Sequence, residues 1–194
     1  MEKKILALIL TNPKEYLAHQ VGYSYCRYRS PLDRPPKCYV NDQSHRGLDR
    51  FAIDFMASEG DIVHAPHQGT IVYVNQNYIG YSHNPADGDK VNTVVIRTAR
   101  DEYVELKHLQ SGSVNLRVGD FVNCGDEVGK VGLCGYYIAD AGVEYPPHLH
   151  MSVQGGVITG IGSLPKKASL RAMFVGYDTH YGSDGSVTFV SRKK

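Results

Sequence analysis

The run His148-Leu149-His150-Met151-Ser152-Val153 places two imidazoles two positions apart in a segment with strand character. Side chains alternate across a strand, so His148, His150 and Ser152 share one face while Leu149, Met151 and Val153 share the other. The same reading of Arg50-Phe51-Ala52-Ile53-Asp54-Phe55-Met56 puts Phe51, Ile53 and Phe55 on one face and leaves Asp54 on the opposite one, beside Ala52. A lone carboxylate on a strand built for burial needs a cation or hydrogen-bond donors to offset its desolvation. His45 lies just upstream, in a polar turn that feeds that strand. Two imidazoles and one carboxylate are the donor set of an open zinc site, where three protein ligands hold the ion and the remaining position is left to water or substrate. Strand histidines are also commonly only packed or solvated, and spacing alone leaves both readings open.

Such side chains need rigid elements to bring them together. Helical periodicity is scarce, whereas short runs of Val, Ile, Tyr and Thr recur between clusters of Gly, Asn and Asp, which predicts a mostly β protein. The expected strands are Arg50–Met56, Ile62–Ala65, Thr70–Asn75, Thr93–Thr98, Glu102–Leu109, Asp120–Val122, Glu127–Val131 and His148–Val153. Short turns at Pro66–Gly69 and Ala99–Asp101 suit hairpins and hence an antiparallel sheet. Residues 77–92 and 132–147 show no clean alternation and are long for loops, which makes them the expected walls of a groove. The expected organisation is an N-terminal extension over 1–43 packed on the sheet, a core over 44–154, and a C-terminal extension over 155–194 with two further strands.

Composition narrows the function. A chain of 194 residues suits one compact domain. Its 21 basic and 20 acidic side chains give a formal charge of +1, and no block of five like charges occurs, so nothing marks it for nucleic acid. The start, Met1-Glu2-Lys3-Lys4 followed by a short apolar run broken at Thr11-Asn12-Pro13, reads as a strand or a trimmed leader rather than a complete signal peptide. No segment nears the roughly 18 apolar residues of a bilayer span. None of the four cysteines forms a C-x-x-C pair. Cys26 and Cys38 fit a disulfide if the protein is exported, while Cys124 and Cys134 read as small residues in turns.

Five segments in order, S-H-R-G-L-D-R-F-A-I-D-F, E-G-D-I-V-H-A-P-H-Q-G-T-I-V, V-E-L-K-H-L-Q, V-G-D-F-V-N-C-G-D-E-V-G-K-V-G-L-C-G and P-P-H-L-H-M-S-V, resemble the lysostaphin-like (LytM-type) zinc metallopeptidases over residues 44–154. The resemblance implies a β fold of the duplicated-hybrid-motif kind, barrel-like, with an open groove between long loops. It also implies a Zn2+ cofactor and hydrolysis of peptide bonds in bacterial peptidoglycan, hence a place in the cell envelope, periplasmic or secreted. Carried over by position, His45, Asp54 and His150 match the zinc ligands, and His108 and His148 match the two catalytic histidines. Asp49 is a rival to Asp54, since His45-Arg46-Gly47-Leu48-Asp49 fits the H-x-G-x-D spacing of many members; the register of the segments that follow favours Asp54.

On this reading His148 takes a proton from water, and His108 orients the water or stabilises the oxyanion. The alternative is a zinc-containing module that binds wall fragments or another protein without cleaving them. His64 and His67 match no ligand and read as surface residues, as do His19, His83 and His180 in polar stretches. Tyr136, Tyr137 and Tyr145 stand before H-L-H as core or substrate contacts, and Cys134 in the same loop is open as a thiolate ligand.

Overall fold

A computed structural model describes residues 22–38, 45, 47–87, 90–136, 146–157, 166–182 and 186–192. Their alternating runs form β1 (Tyr23–Tyr28), β2 (Ile53–Met56), β3 (Ile62–His64), β4 (Gly69–Asn75), β5 (Tyr81–Ser82), β6 (Thr93–Arg97), β7 (Glu102–Lys107), β8 (Phe121–Val122), β9 (Glu127–Lys130), β10 (Gly135–Tyr136), β11 (His148–Val157), β12 (Lys166–Ser169), β13 (Arg171–Phe174), β14 (Tyr177–Tyr181) and β15 (Val187–Ser191). Single 3-10 turns lie at Gly47–Asp49 and Pro85–Asp87. Among the described residues, no helix is long and apolar enough to cross a membrane.

The main sheet runs β12-β11-β7-β6-β4-β8, with β2 also on β11, and its pairings are antiparallel. β2 and β12 occupy successive stretches of one edge of β11, while β7 takes the other edge. The chain is thus mostly β and antiparallel, as its periodicity predicts. Two short pairs, β1 with β13 and β5 with β10, are parallel instead, an arrangement that no tight hairpin could connect and that their wide separation along the chain permits. The second of these joins the two long loops, each of which carries one short strand that no alternation signalled.

Two expected strands are shortened beside the site, one at its start and one at its end. Residues 50–52 belong to the turn after Gly47–Asp49, with Ala52 N donating to Asp49 O at 2.8 Å, so β2 begins only at Ile53. β7 stops at Lys107 because His108 has a φ of 66°. Among the described residues after Gly156, four further strands, β12 to β15, stand where the sequence suggests two.

The apolar faces meet in one core that includes Phe55, Ile71, Ile96, Leu106, Leu149 and Met151. Under β2, the Phe55 ring packs on Phe174 at 5.8 Å and on Phe189 at 6.1 Å, so the C-terminal strands seat the strand that carries Asp54. The opposite edge of β2 is covered by the N-terminal segment, through Met56 N donating to Lys37 O at 2.9 Å and a bridge between Cys38 and Phe55.

All four cysteines are free thiols, so the expected Cys26–Cys38 disulfide is not formed. Cys38 Sγ faces Val187 O at 2.9 Å, and Cys26 Sγ faces Thr98 Oγ1 at 3.7 Å. Burial, reinforced by the neighbouring Glu102, pushes the Cys26 thiol up to about 12. Glu102 is itself buried at the start of β7, and its carboxyl oxygens accept from Tyr25 N at 2.6 Å, Cys26 N at 3.1 Å and the Tyr28 hydroxyl at 2.7 Å. One side chain therefore fastens β1 to the central sheet. A Glu102→Ala substitution leaves these buried donors without an acceptor and is expected to destabilise the chain by about 3 kcal/mol or more. Urea unfolding checks this, and a midpoint unchanged from the parent would show that β1 is held by packing alone.

Candidate metal centre

Register brings the first two ligand candidates together. β2 pairs with β11 so that Asp54 lies directly opposite His150, and both side chains project from the same face of the sheet. Asp54 Oδ1 is 2.9 Å from His150 Nδ1, and Asp54 Oδ2 is 3.3 Å from His45 Nε2. The His45 and His150 rings meet edge to face with centroids 4.9 Å apart. One donor atom from each of His45, Asp54 and His150 lies within 4.8 Å of the others, a spacing able to hold a metal ion. Asp54 is 5% and His150 6% exposed, so the donors sit where water cannot compensate their charges. Burial alone would raise the Asp54 carboxyl, but donors from His150 and His45 hold it well below the usual carboxylate range.

Asp49 stands on the far side of His150. Its Oδ1 is 3.4 Å from His150 Nε2, within ion-pair range but without the alignment of a formed hydrogen bond. Burial works against a charged His150, yet the carboxylates of Asp49 and Asp54 outweigh it and lift the imidazole to about 9. Lys107 lies opposite His150 on β7 and donates to both Asp49 oxygens, at 3.2 and 2.9 Å; its ammonium is also 3.2 Å from Glu105. Burial would lower the Lys107 pKa, but these two carboxylates raise it. The turn holding Asp49 is tied down in its turn, with Phe51 N donating to Ser169 Oγ at 2.9 Å and the Arg171 guanidinium 3.9 Å above the Phe51 ring.

His148 and His108 complete the cluster. His148 Nδ1 donates to Pro146 O at 3.1 Å, which leaves Nε2 as the nitrogen on the site side, 3.9 Å from Asp54 Oδ1. His108 arrives differently from the sequence expectation. In register, Lys107 opposes His150, so a regular strand would aim His108 at the apolar face beside Leu149. The left-handed backbone at His108 redirects its ring, which lies 4.6 Å from that of His148 and 6.0 Å from that of His150. His108 Nδ1 then donates to Cys134 O at 2.6 Å. Gly135 permits that approach: it has a φ of 124°, and a Cβ there would sit 3.0 Å from His108 Nδ1. Burial, with His148 and His150 adding to it, pushes His108 down to about 3.

The pattern that defines Peptidase family M23 matches residues 49–159. The chain belongs to this peptidase family. It is 30% identical over 146 residues to endolysin 2638A of Staphylococcus phage 2638A, covering 75% of this chain and 26% of the endolysin. The M23 chain thus spans about a quarter of the length of that relative. Its fold is similar to that of pseudoalterin, an M23 metalloprotease from the deep sea, with a TM-score of 0.54 at 14% identity over 86% of this chain and 92% of that one. Lysostaphin of Staphylococcus simulans is a further structural neighbour, with a TM-score of 0.43 at 22% identity over 64% of this chain and 44% of that chain.

The other candidates of the M23 chain stand apart from the cluster. Cys134 is buried, with its Sγ 3.2 Å from both Asn92 N and Leu109 O and its thiol pKa raised by burial; its thiol is not among the donors that meet at His45, Asp54 and His150, and its carbonyl is what reaches His108. His64 is half-buried rather than superficial, with its ring nitrogens on Gly125 O at 2.9 Å and Asp33 Oδ2 at 2.8 Å. His67 packs against the Tyr28 ring, and His83 and His180 are exposed. Tyr136 lies in β10, whereas His19, Tyr137 and Tyr145 fall outside the described residues. Sequence reasoning missed Lys107 and Glu105, although counting the V-E-L-K-H run by twos would have set them apart from the core face. A non-glycine residue at positive φ costs about 1 to 3 kcal/mol. His108→Gly is therefore expected to be more stable than His108→Ala by about 1 kcal/mol, measured by denaturant unfolding; equal stabilities would mean that the backbone turn is unstrained.

Proposed function

We propose that this chain is a zinc-dependent endopeptidase that hydrolyses peptide bonds of bacterial peptidoglycan in the cell envelope, periplasmic or secreted. His45, Asp54 and His150 are its metal ligands, and His148 and His108 its catalytic histidines. The observation that carries this reading is the meeting of one buried carboxylate with two imidazole donors within 4.8 Å. Nitrogen and carboxylate oxygen donors suit Zn2+, and buried Asp54 calls for a cation. Zinc bound there supplies Lewis-acid polarisation of the scissile carbonyl and makes water acidic near neutral pH. A relative named an endolysin supports a cell-wall substrate.

The chain's own residues supply the proton handling. With Nδ1 donating to Pro146 O, His148 accepts the proton of the attacking water at Nε2 and delivers it to the leaving amine. His108, held neutral by burial and by its histidine neighbours, has its single ring hydrogen on Cys134 O. Its Nε2 then acts as an acceptor, which fits orienting the water better than donating to an oxyanion.

Purified peptidoglycan digested with the chain and read by mass spectrometry tests the reaction and identifies the bond; intact muropeptides would leave only a binding module. The parent is expected to carry about one zinc per chain, and Asp54→Ala and His150→Ala to lose it. His148→Ala should keep zinc yet lose hydrolysis by about 10² to 10⁴-fold, and full activity in that variant would end its role as base.

A further inference from the structure

The contacts around His150 separate the two aspartates by side of the ring. His150 Nδ1 faces Asp54 Oδ1 at 2.9 Å, so an ion held by His45, Asp54 and His150 would take Nδ1 and leave the hydrogen on Nε2. Nε2 is buried and faces Asp49 Oδ1 at 3.4 Å. Asp49 is in turn engaged by Lys107, whose ammonium lies 3.2 and 2.9 Å from its two oxygens. Lys107 is braced from the other side by Glu105 at 3.2 Å, and Glu105 by the Ser152 hydroxyl at 3.3 Å. The whole row belongs to one sheet face, since His150 opposes Lys107 and Ser152 opposes Glu105 across β11 and β7.

We infer that Asp49 is a positioning residue for the metal centre: its carboxylate, fixed by Lys107, receives the Nε2 hydrogen of His150 and thereby sets the orientation and basicity of the ligand nitrogen Nδ1. The inference rests on the reading of His150 as a metal ligand. A carboxylate behind a ligand histidine fixes the ring and its tautomer, and such outer partners typically tune metal affinity by about 10 to 100-fold. The arrangement also explains why a carboxylate at ligand-like sequence distance from His45 does not compete for the ion. Its oxygens are committed to an ammonium, and the imidazole of His150 stands between them and Asp54. Ser169 and Arg171 extend the support outward by anchoring Phe51, two residues beyond Asp49.

Metal-free full-length chain titrated with Zn2+ against a chromophoric chelator tests this directly. Asp49→Ala is expected to weaken zinc binding by about 10 to 100-fold while still taking one ion per chain. Asp49→Asn keeps an acceptor oxygen for Nε2 and should lose less. The ligand-field spectrum of the Co2+-substituted protein should keep its form in both variants, because the ligand set is unchanged. An affinity equal to the parent in Asp49→Ala, with Asp54→Ala and His150→Ala both losing zinc, would overturn the role of Asp49 alone. Equal and complete loss in Asp49→Ala and Asp49→Asn, with an altered Co2+ spectrum, would make Asp49 a direct ligand and overturn it as well. Zinc undiminished in His150→Ala would overturn the ligand reading underneath. The unfolding midpoint of each metal-free variant distinguishes loss of affinity from loss of fold, since a positioning role predicts little change there.

Discussion

The register of β2 against β11 is the constraint on which the rest depends. With Asp54 opposite His150, Phe55 falls opposite Leu149 and Ile53 opposite Met151, so one alignment satisfies both the polar face and the core. A slip by one residue would turn the aspartate into the aromatic cluster and the phenylalanine towards the imidazoles. Neither is tolerable: the carboxylate would lose its donors and Phe55 its contacts with Phe174 and Phe189. Hydrophobic packing under the sheet therefore specifies the geometry above it, which is how an apolar core comes to fix a site made of charged groups.

Those polar groups are arranged so that carboxylates alternate with nitrogen side chains. Asp54 lies between His45 and His150, His150 between Asp54 and Asp49, and Lys107 between Asp49 and Glu105. Each buried charge has an opposite or donating neighbour on both sides, which is the condition for keeping it in a low-dielectric setting. The histidines also differ in the ring nitrogen each has already committed. His148 and His108 spend Nδ1 on backbone carbonyls, whereas His150 turns Nδ1 towards Asp54. Side chains of one type thus present different nitrogens to the cluster by the placement of a single hydrogen.

Much of this was legible in the sequence, and for a definite reason. The H-L-H and I-D-F runs carry a strict period of two, so the faces of His148, His150 and Asp54 could be assigned before any pairing was known. His108 shows the limit of that reasoning. Period counting sends it to the core, and only the left-handed backbone that ends β7, made possible by the approach of Cys134 O past Gly135, turns it towards His148. The rivalry of Asp49 and Asp54 likewise could not be decided by spacing. Both lie within reach of His45 along the chain, and what separates them is which side of the His150 ring each one meets. The parallel pairing of β1 with β13 and the buried Glu102 that secures it left no local trace, because their partners are set by chain reversal over long distances.

The segments outside the family match are for this reason part of the site rather than appendages. His45 precedes the matched span, and Ser169 and Arg171 follow it, yet all three bear on the same turn and strand. β12 continues along the edge of β11 where β2 leaves off, so the turn at Gly47–Asp49 lies against its end and is held by the Ser169 hydroxyl. Beneath it, Phe174 and Phe189 press on Phe55 and keep β2 flat against β11. A four-residue strand has few ladder bonds of its own and would fray without cover on its face and its free edge. The C-terminal strands cover the face and the Lys37–Cys38 segment covers the edge. The precision of a centre whose donors must meet within a few ångströms is thus supplied by residues that carry no chemistry themselves.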